Sequence, residues 1–242
     1  MYKLVYLARR NPNLSREEWP EVWRSHSKFA GQFPGLRSGM KYGRYCNRID
    51  NPMLDGRPVN LPGVSTAHDG VAVACSEMLA LLQGGGFTTK QRALIQHDEL
   101  RVFDQLTPNF SFHCLEAPVR DGALGQAAVF RFLPRLPDVT RIVFNERLLG
   151  DHARIVHDTI APLGAITRYT HNSPLHRPLL MFPFDAISEC WYDSVDAAVR
   201  SVKDGQFAAV ERDLNEFCDM EHSVVMLTEV CNPPGQFPGV RT

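Results

Sequence analysis

Apolar and polar positions along the chain follow one pattern twice. Residues 2–9 form an apolar, strand-like run. A helix start follows, with Ser15 placed to cap it and Glu18 three residues on to complete a capping box. Trp19, Val22, Trp23, His26, Phe29 and Ala30 recur at spacings of three and four and therefore share one helix face. Pro34-Gly35 ends that helix. Residues 36–45 read as a second strand, 70–75 as a third, 78–83 as a short helix, 88–106 as a longer one and 110–117 as a last strand. Residues 46–68, broken by Pro52, Pro58, Pro62 and Gly63, read as a long loop of the type that lines a pocket.

A glycine-bearing link over 119–125 leads into the repetition: strand 127–133, helix 139–157, strands 165–171 and 186–191, a helix in two pieces over 195–219, and strand 223–231. Each half spells β-α-β-β-α-β, the ferredoxin-like unit, whose helices cover one face of an antiparallel sheet. The bare face must be covered too, and two units in one chain achieve this sheet to sheet. The expectation is an α+β protein: a first unit over residues 1–118, a second over 124–231 and an extended tail over 232–242. Each half carries one histidine at an equivalent helix position, His26 and His152.

A length of 242 residues accommodates both units with real cores. A net charge of −1 without a dense Lys/Arg block argues against nucleic acid as a partner. The apolar stretch at the start is too short for a signal segment or a membrane span. The six cysteines are scattered with no Cys-x-x-Cys pair, which reads as reduced thiols in a cytoplasmic setting.

With the unit order in hand, several motifs carry a resemblance. They are Leu7-Ala-Arg9-Arg10, Leu14-Ser-Arg-Glu-Glu18-Trp19, Trp23-Arg-Ser-His26 and Asp69-Gly-Val in the first half. In the second they are His152-Ala-Arg-Ile, Asp185-Ala-Ile-Ser-Glu189-Cys-Trp191 and Asp213-Leu-Asn-Glu-Phe217. On these the chain resembles EthD-type members of the dimeric α/β-barrel superfamily. The resemblance implies that one polypeptide supplies what is elsewhere a homodimer. It also implies small-molecule chemistry, often without metal or organic cofactor: isomerisation, decarboxylation, dehydration or oxygenation of aromatic and polyketide-like substrates. The halves have drifted, with Val73 and Cys75 in the first where the second has Glu189 and Trp191, so their pockets are expected to differ.

His26 and His152 are the first catalytic candidates, since imidazole exchanges protons near neutral pH. The alternative is a satisfied histidine at a helix–sheet contact. Asp69 and Asp185 stand at the start of equivalent strands, where a carboxylate could fix a histidine tautomer or simply bond local backbone. Tyr42 and Tyr169 match on the second strands and could steady an enolate, or pack as strand aromatics. His171 follows Tyr169 by two and shares its strand face. Arg9 and Arg131 could hold a substrate carboxylate, or form surface salt bridges with the acidic helix starts. Trp23 and Trp191 could wall an aromatic substrate, although core packing is the more frequent fate of a tryptophan at these spacings.

No His-Glu-x-x-His or His-x-x-x-His pair points to a metal, and no Gly-x-Ser-x-Gly elbow to a serine nucleophile. The reading that follows is a cofactor-independent lyase without a metal, acting on a small aromatic or phenolic acid by decarboxylation or elimination. A cofactor-free monooxygenase, an isomerase and a non-catalytic ligand-binding protein stay open. So does a homodimer of the tandem chain.

Overall fold

The computed structural model describes residues 1–34, 39–176 and 182–231. The expected tail, and residues 36–38 of the expected second strand, lie outside them. The strands among the described residues are β1 (Tyr2–Ala8), β2 (Met40–Arg48), β3 (Met53–Leu54), β4 (Arg57–Pro58), β5 (Gly70–Ser76), β6 (Ser111–Arg120), β7 (Ala127–Leu133), β8 (Ile166–Pro174), β9 (Ala186–Tyr192) and β10 (Val224–Val230). The α-helices are α1 (Trp19–Ala30), α2 (Leu79–Leu82), α3 (Thr89–Val102), α4 (Arg141–Arg147), α5 (Ala153–Ile160), α6 (Val195–Lys203) and α7 (Ala208–Leu214).

The main strands close into one barrel in the order β1-β5-β2-β10-β7-β9-β8-β6. Within it β6-β1-β5-β2 and β10-β7-β9-β8 are the two ferredoxin-like sheets, and every pairing is antiparallel. They join edge to edge at two seams. One pairs β6 with β8 over Cys114↔Pro174 to Arg120↔Tyr169, and the other pairs β10 with β2 over Thr228↔Arg48 to Val230↔Cys46. Closure removes the exposed edges that a lone sheet would present. The bare faces of the two sheets meet across the lumen.

Side-chain alternation sorts each strand between lumen and helices. The apolar lumen includes Phe112, Phe132 and Phe184, with ring centroids 5.5–6.2 Å apart. Beside it lies a buried polar network. Lys3 Nζ on β1 donates to both Glu189 oxygens on β9, at 3.0 and 2.9 Å, and lies 3.0 Å from Glu116 Oε1 on β6. Arg168 on β8 reaches Glu116 at 2.6 Å. Asn172 and the Trp191 indole donate to the remaining Glu189 positions at 2.8 and 2.9 Å. Burial alone would raise the Glu116 carboxyl, but Lys3 and Arg168 outweigh it and hold it below its usual value.

On the outer faces the halves diverge. β1 reads half-buried on its helix-facing positions, whereas all seven β7 residues are buried. The Trp19 and Trp23 rings, 4.5 Å apart on α1, press onto β5. They fit because Gly70 has no side chain: a Cβ there would lie 2.8 Å from Trp23, 3.0 Å from Trp19 and 2.6 Å from the Cys46 carbonyl. The second half has Ala186 at the equivalent place.

Two expectations are corrected. The segment 46–68 does not line the cavity described below. Asp55 and Gly56 both adopt positive φ (51° and 74°), the geometry of a two-residue hairpin turn, and fold β3 onto β4. That hairpin crosses to the second half, where Leu54 and Leu61 bury in its core and Asp55 meets Arg200 at 3.0 Å. The helix expected over 139–157 is interrupted by a π turn, Leu148–His152, of the kind that re-aims a side chain. The Ser15–Glu18 box does form, with reciprocal bonds of 2.8 and 3.2 Å, one turn ahead of α1.

Two stability effects are expected. Gly70→Ala should destabilise by about 1–3 kcal/mol through overpacking. Lys3→Ala should cost about 3–5 kcal/mol by leaving buried carboxylates uncompensated. Urea unfolding measures both, and wild-type stability in Lys3→Ala would contradict the account of the lumen.

Candidate functional site

The half-buried outer face of β1 marks where the first half leaves space. A cavity of about 280 Å³ lies between β1, β2, β5 and the helices α1 and α3. Leu4, Tyr6, Ala72 and Ala74 line it from the sheet, Trp23 and His26 from α1, and Arg92, Ile95, Gln96 and Glu99 from α3. The walls are chiefly apolar with a few polar groups, the usual make-up of a small-molecule site.

His26, 8% exposed, is held by a neighbour on the facing helix. Its Nδ1 lies 2.7 Å from Asp98 Oδ2, and Asp98 Oδ1 accepts from Arg101 Nε at 2.9 Å. Burial raises the Asp98 carboxyl, but the bonds from Arg101 and His26 outweigh burial and hold it below its ordinary value. An ionised carboxylate only accepts hydrogen bonds, so in the neutral imidazole the proton sits on Nδ1 and the lone pair on Nε2. Phe103 packs edge-on against the ring at 5.8 Å and fixes its plane.

Glu99 is 5% exposed and accepts from the Thr107 amide and hydroxyl at 3.1 and 2.8 Å. Burial raises its carboxyl against those bonds. Burial first, and Glu99 second, push the Tyr6 phenol far above its ordinary value, so it stays a hydrogen-bond donor.

The second half repeats this arrangement around His152. His152 Nδ1 lies 2.7 Å from Asp213 Oδ2, Arg147 reaches Asp213 Oδ1 at 2.8 Å, and Phe217 packs edge-on at 5.5 Å. Here the ring is 0% exposed. His171 stands 5.4 Å from it between ring centroids and Tyr169 5.3 Å from His171, so Tyr169 and His171 do share the outer face of β8. His171 Nδ1 contacts Ser188 Oγ at 2.9 Å, while Nε2 of both histidines is buried with no hydrogen-bond partner among the described residues. Burial lowers His152 despite the pull of Asp213. Burial, and then the His152 charge, push His171 down to about 3.

Several expected site residues sit elsewhere. Asp69 does not pair with His26: it accepts from the Arg10 amide at 2.9 Å and the Arg10 guanidinium at 2.7 Å, pinning β5 to the end of β1. Asp185 likewise accepts from the Arg135 amide at 3.1 Å, and His152 takes Asp213 instead. The helix face that places each histidine turns it towards the other long helix, away from the strand starts. Tyr42 points into the lumen, its hydroxyl 3.4 Å from Glu116, because its register with Cys75 sets it on the inward face. Trp191 is fully buried there against Glu189 and Phe130 and walls no cavity. Arg9 is exposed and donates to the Ala67 carbonyl at 3.1 Å. Arg131 is buried over the Phe207 ring at 5.0 Å and meets Glu211 at 3.3 Å. Trp23 does line the cavity.

Sequence reading missed Asp98, Arg101, Glu99 and Tyr6. One signal was present: in each half an aspartate precedes a phenylalanine by four or five positions near the end of the second helical segment, Asp98 before Phe103 and Asp213 before Phe217. Among the described residues no group of three or more His, Cys, Asp or Glu is arranged to hold a metal ion. Nor is any described helix long and apolar enough to cross a membrane.

The EthD domain matches residues 136–221, within the second unit and across His152, Glu189 and Asp213. Solved structures share the fold across nearly the whole chain. An anthrone oxidase-like protein superposes with a TM-score of 0.60 at 14% identity, covering 95% of this chain and 90% of its own. A protein provisionally named a monooxygenase, from Fusobacterium nucleatum subsp. nucleatum, gives 0.60 at 8% identity over 96% and 92%. A chlorite dismutase from Candidatus Nitrospira defluvii gives 0.50 at 11% identity over 96% and 91%. No curated protein matches the sequence. The likeness is one of fold: a dimeric α/β barrel with both halves in one polypeptide. Within it, residues 136–221 of the second unit are similar to the EthD domain, the family whose motifs the sequence resembles.

The buried imidazoles set a pH dependence. A histidine whose native pKa is depressed contributes stability that is complete above its unfolded value near 6.5 and is lost as pH falls towards its native value. For His171 that window runs from 6.5 down to about 3. Moving from pH 7 to pH 5 should remove about 2 kcal/mol through this group. Urea titrations at both pH values check this, and His171→Gln should shrink the difference.

Proposed function

We propose that the first-half cavity is a proton-transfer site for a small aromatic or phenolic acid, with His26 as general base and acid. The observation that carries this is the 2.7 Å His26–Asp98 contact at the wall of an apolar cavity, which leaves Nε2 available. Asp98 holds the tautomer and stabilises the imidazolium that forms when Nε2 takes a proton. The Tyr6 phenol, kept protonated by burial and Glu99, is the donor for a developing enolate or phenolate oxygen. Trp23 offers the substrate ring an aromatic surface. Loss of carbon dioxide or of a leaving group from the resulting anion gives a lyase that needs no cofactor.

A second reading shares the first step. An electron-rich carbanion or phenolate can instead react with dioxygen, and the names of two structural neighbours, anthrone oxidase-like and monooxygenase, favour this outcome. Oxygen consumed in proportion to product identifies the oxygenase. Unchanged anaerobic turnover identifies the lyase, and a product of unaltered mass an isomerase. In this reading the second half is not the working site, since its equivalent histidine is fully buried.

His26→Ala should lower turnover by about 10²-fold or more with the fold intact, the scale of general acid–base catalysis. Asp98→Asn should act in the same direction. His152→Ala should alter stability far more than turnover. Steady-state kinetics with circular dichroism decides this, and full activity in His26→Ala would reject the assignment.

A further inference from the structure

The second half holds a buried polar cluster that its own packing leaves unsatisfied. Arg131 on β7 pairs in register with Ser188 on β9, and Ser188 with His171 on β8, so the three form one row on the helix-facing side of the sheet. The His152 ring, from the helix layer, lies 5.4 Å from that of His171, and Tyr169 lies 5.3 Å from His171 on the same strand face. Phe207 packs on both the Arg131 guanidinium, at 5.0 Å, and the Tyr169 ring, at 6.1 Å. Four polar atoms in this neighbourhood are buried with no hydrogen-bond partner among the described residues: Arg131 Nε, Tyr169 Oη, His152 Nε2 and His171 Nε2. Their residues are at most 4% exposed. A buried donor or acceptor left unsatisfied carries its full desolvation cost, and here four do so together. The π turn Leu148–His152, which delivers one of the imidazoles, is itself an irregularity common at functional sites. The cluster also has a cationic bias. Arg147 is balanced by Asp213 at 2.8 Å, but the deeply buried Arg131 meets only Glu211 among the described residues, at 3.3 Å, and Glu211 is half-exposed.

We propose that this cluster is a closed binding site for a small carboxylate, of the size of formate, held by Arg131 and Tyr169 on one side and the two imidazoles on the other. The site is separate from the first-half cavity, which none of these residues lines. The carboxylate oxygens accept from Arg131 Nε–H and from the Tyr169 hydroxyl, the charge-assisted bonds that an anion makes most strongly. With Nδ1–H committed to Asp213, neutral His152 offers only a lone pair at Nε2. One proton taken up with the anion converts that lone pair into an N–H donor. Charges then alternate along the site: Arg131, carboxylate, His152, Asp213. Ser188, donating to Nδ1 of His171, leaves that ring a neutral Nε2–H for the same ligand. The groups that face the imidazole pair agree with this balance. Burial lowers His152, Asp213 raises it, and Arg147 and Arg131 lower it again, so an anion beside it reverses the field that keeps it neutral. Burial raises the Tyr169 phenol to about 12, against Arg131 and the neighbouring Ser188 hydroxyl, and raises the Cys190 and Cys218 thiols to about 12, so all three stay uncharged.

The test titrates sodium formate into the full chain by calorimetry, with sodium chloride at equal ionic strength as the control. Two buffers of different ionisation enthalpy count the protons. Formate should bind with uptake of about one proton, and its affinity should fall about 10-fold from pH 6.5 to pH 7.5. The 15N resonance of His152 Nε2 should move from the lone-pair to the protonated position as formate is added. Tyr169→Phe should weaken formate about 10-fold, the scale of one charge-assisted bond, and should leave urea stability without formate undiminished, because the hydroxyl it removes has no partner. Arg131→Gln should abolish saturable binding. His26→Ala should bind formate as wild type does. Chloride binding as tight as formate overturns the carboxylate assignment, and so does formate binding without proton uptake. Binding that survives Tyr169→Phe and Arg131→Gln, or is lost in His26→Ala, places formate elsewhere and overturns the site. Absence of both heat and 15N shift overturns it too, with water left to satisfy the cluster. None of these outcomes touches the reading of the first-half cavity, which His26→Ala turnover tests on its own.

Discussion

The fold hangs on the contact between Lys3 and Glu189 inside the barrel. One residue comes from the first strand of the first half and the other from the third strand of the second half, and both are fully buried. Neither charge could stay in that interior alone, because the desolvation of an unpaired ion is worth several kcal/mol. Glu116, Arg168, Asn172 and Trp191 complete the set, so that each charged group meets a partner across the lumen or the β6–β8 seam. Equivalent positions of the repeat hold Ala128 opposite Lys3 in role, and Val73 where the second half has Glu189. The two halves are thus complementary rather than interchangeable.

Once the lumen is shared in this way, each half keeps an outer face to use independently. In the second half β7 packs apolar side chains on both faces, and Phe144, Leu148, Phe207 and Phe217 fill the space beneath the helices. In the first half the paired tryptophans are concentrated at one end, over Gly70, and the remainder of the sheet beneath α1 and α3 stays partly uncovered. The same dyad therefore has opposite surroundings. His26 faces a cavity; His152 is enclosed with His171 and held neutral by burial.

The sequence carried the architecture because a repeated order of period-two and helical segments leaves few ways to cover two sheets. It carried the histidines for the same reason, since both occupy one helix face in each half. It did not carry their partners. Asp98 lies 72 residues from His26, and only the packing of α1 on α3 brings them to 2.7 Å. Asp69 and Asp185 looked like partners by position along the strands, yet the neighbouring chain ends at Arg10 and Arg135 claim them first. Tyr42 and Trp191 stayed open between site and core for another reason: strand alternation says that a residue faces one side, not which side is lumen and which is cavity.

Local spacing thus determined the elements, their order, the twofold repetition and the presence of one imidazole per half, because each depends on residues within a few positions of one another. The tertiary structure alone decided which carboxylate meets which imidazole, and which of the two imidazoles faces a cavity. Those are properties of distance and enclosure between segments far apart in the chain, and a linear pattern holds no measure of either.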